Sequence, residues 1–140
     1  MKLRDPFLNE IFEPSLMWFI DVFDIYDREE TLGQELEIYN PNDESDREIL
    51  ITKYSLNMSY LSYRHKFMLI HNLRKKLDIK DYNFRTVFEI NEDEAASWPR
   101  EEWYGLESVR AFFQEIHNLA QTVWASDLEK ATAEDRTTWQ

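Results

Sequence analysis

Glycine scarcity most narrows what this chain can build. Only two occur in 140 residues, Gly33 and Gly105, where average usage would supply about ten. A dinucleotide-binding G-x-G-x-x-G turn or a G-x-x-x-x-G-K-[ST] phosphate loop needs several glycines close together. These two lie 72 positions apart, so the chain carries neither motif. The absence of cysteine likewise excludes disulfides, thiolate zinc sites, iron–sulfur clusters and thiol nucleophiles. At this length one domain is expected, burying about two-thirds of its extended surface. A hydrophobic fraction of 43% can fill one core. The longest uninterrupted apolar run, residues 16–20, is far short of the ~20 residues of a membrane span. The first residues show no export pattern, so a cytoplasmic protein is expected.

The net charge of -12 is strongly segregated. Residues 21–48 hold eleven acids against Arg28 and Arg47. Residues 49–88 reverse the sign, with eight basic side chains against Asp78 and Asp81. Residues 89–107 are acidic again, with seven acids against Arg100. Such a chain repels nucleic acid and anionic membranes over most of its surface and attracts a basic macromolecule. Acidic surfaces also serve solubility alone.

The hydrophobic pattern points to an α+β fold: an antiparallel sheet of about four strands packed against one or two helices, with a long C-terminal amphipathic helix. Residues 6–13 suggest a short helix opened by Pro6 and closed by Pro14. Residues 16–26, 35–39, 48–54 and 82–90 read as strands, the last alternating strictly. Residues 57–77 favour a helix, being long and free of Gly and Pro. Residues 106–124 form the strongest helical stripe, from Leu106 through Phe112, Phe113 and Ile116 to Val123. Residues 40–46 and 91–94 read as exposed acidic loops. The domain is expected to span 1–126, followed by a polar, frayed tail over 127–140.

Candidate chemistry is sparse. His65 and His71 are six residues apart, which suits neither a shared helical face nor a zinc spacing, and His117 lacks an H-E-x-x-H context. Asp24 with Glu35 and Glu37 resembles the acidic half of a metal-dependent nuclease centre. Tyr39 stands where such a centre carries lysine, and the surrounding acids would repel a phosphodiester. No serine has nucleophile support. Catalytic, metal and cofactor sites are therefore expected to be absent. The basic stretch from Arg64 to Lys76, interleaved with aromatics, is open to three readings: a nucleic-acid face, a solvated helix face, or a patch that neutralises the protein's own acids. Five tryptophans are unexpected, and Trp98 beside carboxylates suits an interface with a cationic partner.

Glu102-Trp103, followed by Leu106-Glu107-Ser108-Val109-Arg110-Ala111-Phe112, resembles the C-terminal E-W-x(n)-L-x-S-V-x-x-F pattern of immunity proteins. These protect bacteria from contact-dependent growth-inhibition toxins and related polymorphic toxins. The resemblance covers about a dozen residues of 140. It implies a non-enzymatic inhibitor of one cognate toxin domain, often a basic nuclease; on charge, no direct nucleic-acid or membrane binding is expected. It carries over no binding residue, because these interfaces vary between pairs. On charge and exposure the expected contact residues are Asp43, Glu44 and Asp46 in one loop, Glu92, Asp93 and Glu94 in the other, and Trp98. A second reading is an acidic accessory protein of a phage or mobile element that mimics nucleic acid or blocks a host defence complex.

Overall fold

Leu16, Phe19, Ile20 and Phe23 are all buried, and their spacing belongs to a helix rather than a strand. The computed structural model describes residues 2–89 and 97–139. Among them no β-sheet forms; the single extended pairing is an isolated bridge between Arg4 and Ile11. The fold is all-α, which corrects the expected α+β architecture. Its α-helices are α1 (Gln34–Leu36), α2 (Glu44–Ile49), α3 (Tyr63–Leu77), α4 (Val109–Val123) and α5 (Ala125–Thr132). Short 3-10 turns at Leu16–Phe19, Asp21–Phe23, Phe84–Phe88 and Glu101–Gly105 connect them. A π-type turn leads into α1 at Glu29–Gly33, and another continues α2 at Leu50–Ser55.

Each expected strand fails for the same reason. In residues 82–90 alternation would place Thr86 with Phe84 and Phe88, yet Thr86 is exposed while both phenylalanines are buried four apart. In residues 35–39 Leu36 is buried but Ile38 is 67% exposed. In residues 48–54 Leu50, Ile51 and Tyr54 are buried at helical intervals. Period 2 and period 3.6 agree over two or three positions, so short apolar segments satisfy both until a neighbouring surface selects one.

The two long helices fall where the periodicity placed them, with sharper ends. Ser62 caps α3 and pairs with His65 in a capping box. Ser108 caps α4 by accepting from the Ala111 amide at 3.2 Å. Arg110 secures the far end of α3. Its Nη1 donates to the Leu77 carbonyl at 3.1 Å, and its Nη2 lies 2.8, 3.2 and 3.1 Å from the carbonyls of Ile79, Lys80 and Tyr82. One guanidinium thus satisfies the last carbonyl of α3 and three from the segment that follows it.

The core lies where α4 meets α3 and the turn Leu50–Ser55. Val109, Phe112, Phe113, Ile116 and Ala120 from α4 face Leu69, Ile70 and Leu73 from α3. Residues 127–139, expected to fray, are packed: α5 lies on α3, and Trp139 is 2% exposed with its ring edge-on to Phe67. The expected helix at 6–13 is instead a reversal, with the Asp5 amide donating to Glu10 and the Phe12 amide to Leu3.

Candidate interaction surface

The expected loop over residues 40–46 ends at Asp43, and Glu44 and Asp46 lie in the first turn of α2; this turn brings the three expected contact residues together, and local structure engages two of them. Asp43 caps α2, its Oδ2 accepting from the Asp46 amide at 2.9 Å. Asp46 Oδ2 accepts from the Asn40 amide at 2.9 Å and is half-buried. Asp43 and Glu44 are exposed. Arg47 anchors the loop to α4 through Glu115 at 2.8 Å. The rigid turn therefore presents Glu44 and the outer edge of Asp43. Glu92, Asp93 and Glu94 lie outside the described residues.

Trp98 is elsewhere. It is 7% exposed, with its ring 5.3 Å from Phe88 and 6.4 Å from Trp103. Trp103 in turn packs on Phe23 at 4.6 Å and Phe112 at 5.7 Å. Aromatic burial of this kind is core packing, and it corrects the expected exposed anchor. The dozen residues that carry the immunity-protein resemblance have structural places too. Trp103, Leu106, Val109 and Phe112 are buried, and Ser108 is the α4 cap.

Three cations of the basic stretch pair with carboxylates of their own chain, while Lys75 is exposed. Arg64 Nε meets Glu134 at 2.8 Å, with Tyr63 donating to the same carboxylate at 2.6 Å. Lys66 meets Asp127 at 2.8 Å, and Arg74 meets Asp78. Hydrogen bonds from Arg64 and then Tyr63 hold the Glu134 carboxyl down at about 2. Arg100 does the same for Glu102, also about 2. Of the three readings of this stretch, these pairs match neutralisation of the protein's own acids.

The other singled-out residues are structural ties. His65 places Nδ1 2.7 Å from the Ser62 hydroxyl and Nε2 2.7 Å from the Arg4 carbonyl. Asp24 accepts from the amides of Tyr26 and Ser97. Glu35 accepts from the Tyr54 hydroxyl at 2.5 Å; burial first, then this carboxylate, pushes that phenol upward. Burial, with Arg74 nearby, lowers His117. Among the described residues no group of three His, Asp or Glu side chains is placed to hold a metal. No helix of the described residues is long and apolar enough to cross a membrane.

Sequence reasoning missed an exposed aromatic groove of about 630 Å³ beside the N-terminal reversal. Asp5 Oδ1 accepts from the amides of Phe7 at 2.8 Å and Leu8 at 3.0 Å. This side-chain turn throws both apolar residues outward, 67% and 57% exposed. Phe7, Trp18 and Tyr60 then cluster, with ring centroids 5.2 to 6.4 Å apart. The Trp18 indole is fixed by donating to the Glu13 carbonyl at 3.0 Å. The available signal was Asp5-Pro6, a turn opener that a helical wheel over residues 6–13 overrides. Comparison of the chain with protein-family models, curated proteins and solved structures finds no match.

Proposed function

We propose that this chain is a non-enzymatic, cytoplasmic inhibitor that binds and neutralises one basic protein, a toxin domain of the kind immunity proteins mask. The observation that supports the reading is where the charges go. Two cations of α3, Arg64 and Lys66, pair with Glu134 and Asp127 of the same chain. Of the eleven acids in residues 21–48, nine are exposed: Asp21, Asp27, Glu29, Glu30, Glu35, Glu37, Asp43, Glu44 and Glu48. The excess negative charge therefore faces solvent, where it steers a basic partner and raises its encounter rate. The acids take the place of substrate phosphates against the partner's Lys and Arg, and no cofactor takes part.

The test begins with co-purification at low and high salt and identification of the retained protein by mass spectrometry. Binding kinetics of that protein follow. Charge reversal at Glu29, Glu30 and Glu44 together is expected to lower the association rate about tenfold at low salt and to leave it nearly unchanged at high salt. Reversal at Glu92, Asp93 and Glu94 is expected to act in the same direction. A retained protein that is acidic, or association rates indifferent to salt, would overturn the reading.

A further inference from the structure

The chain's own cations cover many of its aromatic rings. Lys53 lies over Tyr54, Lys76 over Tyr82, Arg110 over Phe84 and Arg136 over Phe67. Tyr63 carries both Arg64 and Lys130, and Trp124 carries Lys66. Among the described residues no such cation sits on Phe7, Trp18 or Tyr60, although Phe7 and Tyr60 are 67% and 48% exposed. Arg28 lines the same groove, but its guanidinium Nη2 donates to the Asp24 carbonyl. Asp5 and Asp21 stand in the groove wall, and the Asp21 charge reaches Tyr60, helping burial raise its hydroxyl.

An electron-rich ring cluster with carboxylates at its edge matches a cation on an apolar stem. We propose that the Phe7–Trp18–Tyr60 groove is the socket for an arginine-bearing segment of the basic partner. This rests on the reading above that the partner is basic. Guanidinium fits better than ammonium because it is planar, weakly hydrated, stacks on ring faces and pairs with carboxylates through two donors. The protein's -12 net charge supplies long-range complementarity, and the rings supply desolvated area at the contact.

The experiment uses the full chain with a hexa-arginine peptide as probe and hexa-citrulline as its uncharged counterpart, read by two-dimensional NMR. Hexa-arginine is expected to shift the Phe7 amide, the Trp18 indole and the Tyr60 signals, and hexa-citrulline to leave them in place. Hexa-lysine should bind more weakly. The double variant Phe7→Ala, Tyr60→Ala is expected to weaken hexa-arginine about tenfold, while Glu44→Gln changes it less than about twofold. Thermal melts check the fold of the double variant; should it melt early, the single variant Phe7→Ala, at a side chain 67% exposed, replaces it, with weakening again expected. Unchanged affinity in these variants, shifts centred elsewhere, or the same signals moved by phosphatidylcholine vesicles or by self-association would each overturn the socket. The two proposals fail separately. If the protein retained in the co-purification binds the double variant normally, the socket falls and the inhibitor reading stands. If hexa-arginine binds here but no basic protein is retained at any salt, the inhibitor reading falls and the socket loses its partner, leaving only an arginine-binding groove.

Discussion

Two halves of the molecule bury apolar side chains at the same helical spacing and reach different local structures. In α3 and α4 the stripe runs unbroken for 15 residues each, and a serine caps each start. Such helices combine local capping with a tertiary contact. Between residues 15 and 58 the stripe is cut into short runs, the longest Glu44–Ser55, which change between 3-10, α and π-type geometry. Elements that short cannot offset the cost of nucleating a helix. Their geometry is set by what they pack on: Ser55 donates to the Phe19 carbonyl at 2.6 Å, and the Trp124 indole donates to the Leu56 carbonyl at 3.0 Å. Periodicity specifies which side chains are inside. Length specifies whether a segment holds its own shape.

The sharpest way to break that contrast is in the shared core. Phe113 is fully buried on α4, and Phe113→Ala is expected to cost about 3–5 kcal/mol in chemical denaturation. Hydrogen exchange should then show the amides of residues 16–56 losing protection before those of α4. Equal loss in both halves would mean that the turns are as self-sufficient as the helix.

Arg110→Ala comes next, at about 2 kcal/mol, because it strips charged donors from carbonyls of residues 77–82. Arg110→Lys is expected to recover little, since a point charge cannot serve this spread of acceptors. Full recovery by lysine would reduce the role to charge alone.

The capping serines give a smaller, graded comparison. Ser108→Ala should cost about 1 kcal/mol. Ser15→Ala, which removes the 3.2 Å bond to the Met17 amide at the head of a four-residue turn, should cost less. A larger cost at Ser15 would contradict tertiary control of the short elements.

The mildest perturbation is acid. Glu134 titrates at about 2 in the folded chain against an ordinary 4.5. Its stabilising contribution is therefore complete above about pH 4.5 and is lost as the pH falls towards 2. Glu134→Gln should flatten the stability slope across that window, read from urea midpoints at successive pH values. An unchanged slope would assign the acid sensitivity elsewhere, with Glu102 next in line.

Much of the core and little of the surface could be read from the chain. α3 and α4 were legible because their stripes span four turns, which no strand pattern can imitate. Residues 16–26 were not, since aromatic and β-branched residues crowd both sides of any wheel or ladder drawn through Trp18, Phe19, Ile20, Val22 and Phe23. Trp98 misled for a related reason. Carboxylates beside it in sequence say nothing of Phe88 and Trp103, which meet it in space. The aromatic groove was hidden by a single carboxylate. Asp5 turns the chain so that Phe7 faces outward, whereas a helix over residues 6–13 would have turned it in.

The ion pairs that α3 makes with Asp127 of α5 and with Glu134 just beyond it also carry a consequence for synthesis. Lys66 and Asp127 are 61 residues apart, and Arg64 and Glu134 are 70 apart. Translation delivers the N-terminal partner first. Arg64 and Lys66 therefore leave the ribosome 70 and 61 residues ahead of these partners, following the acidic block of residues 21–48. Both pairs are complete only after residue 134 has been made, long after the residues of α3 itself are in place.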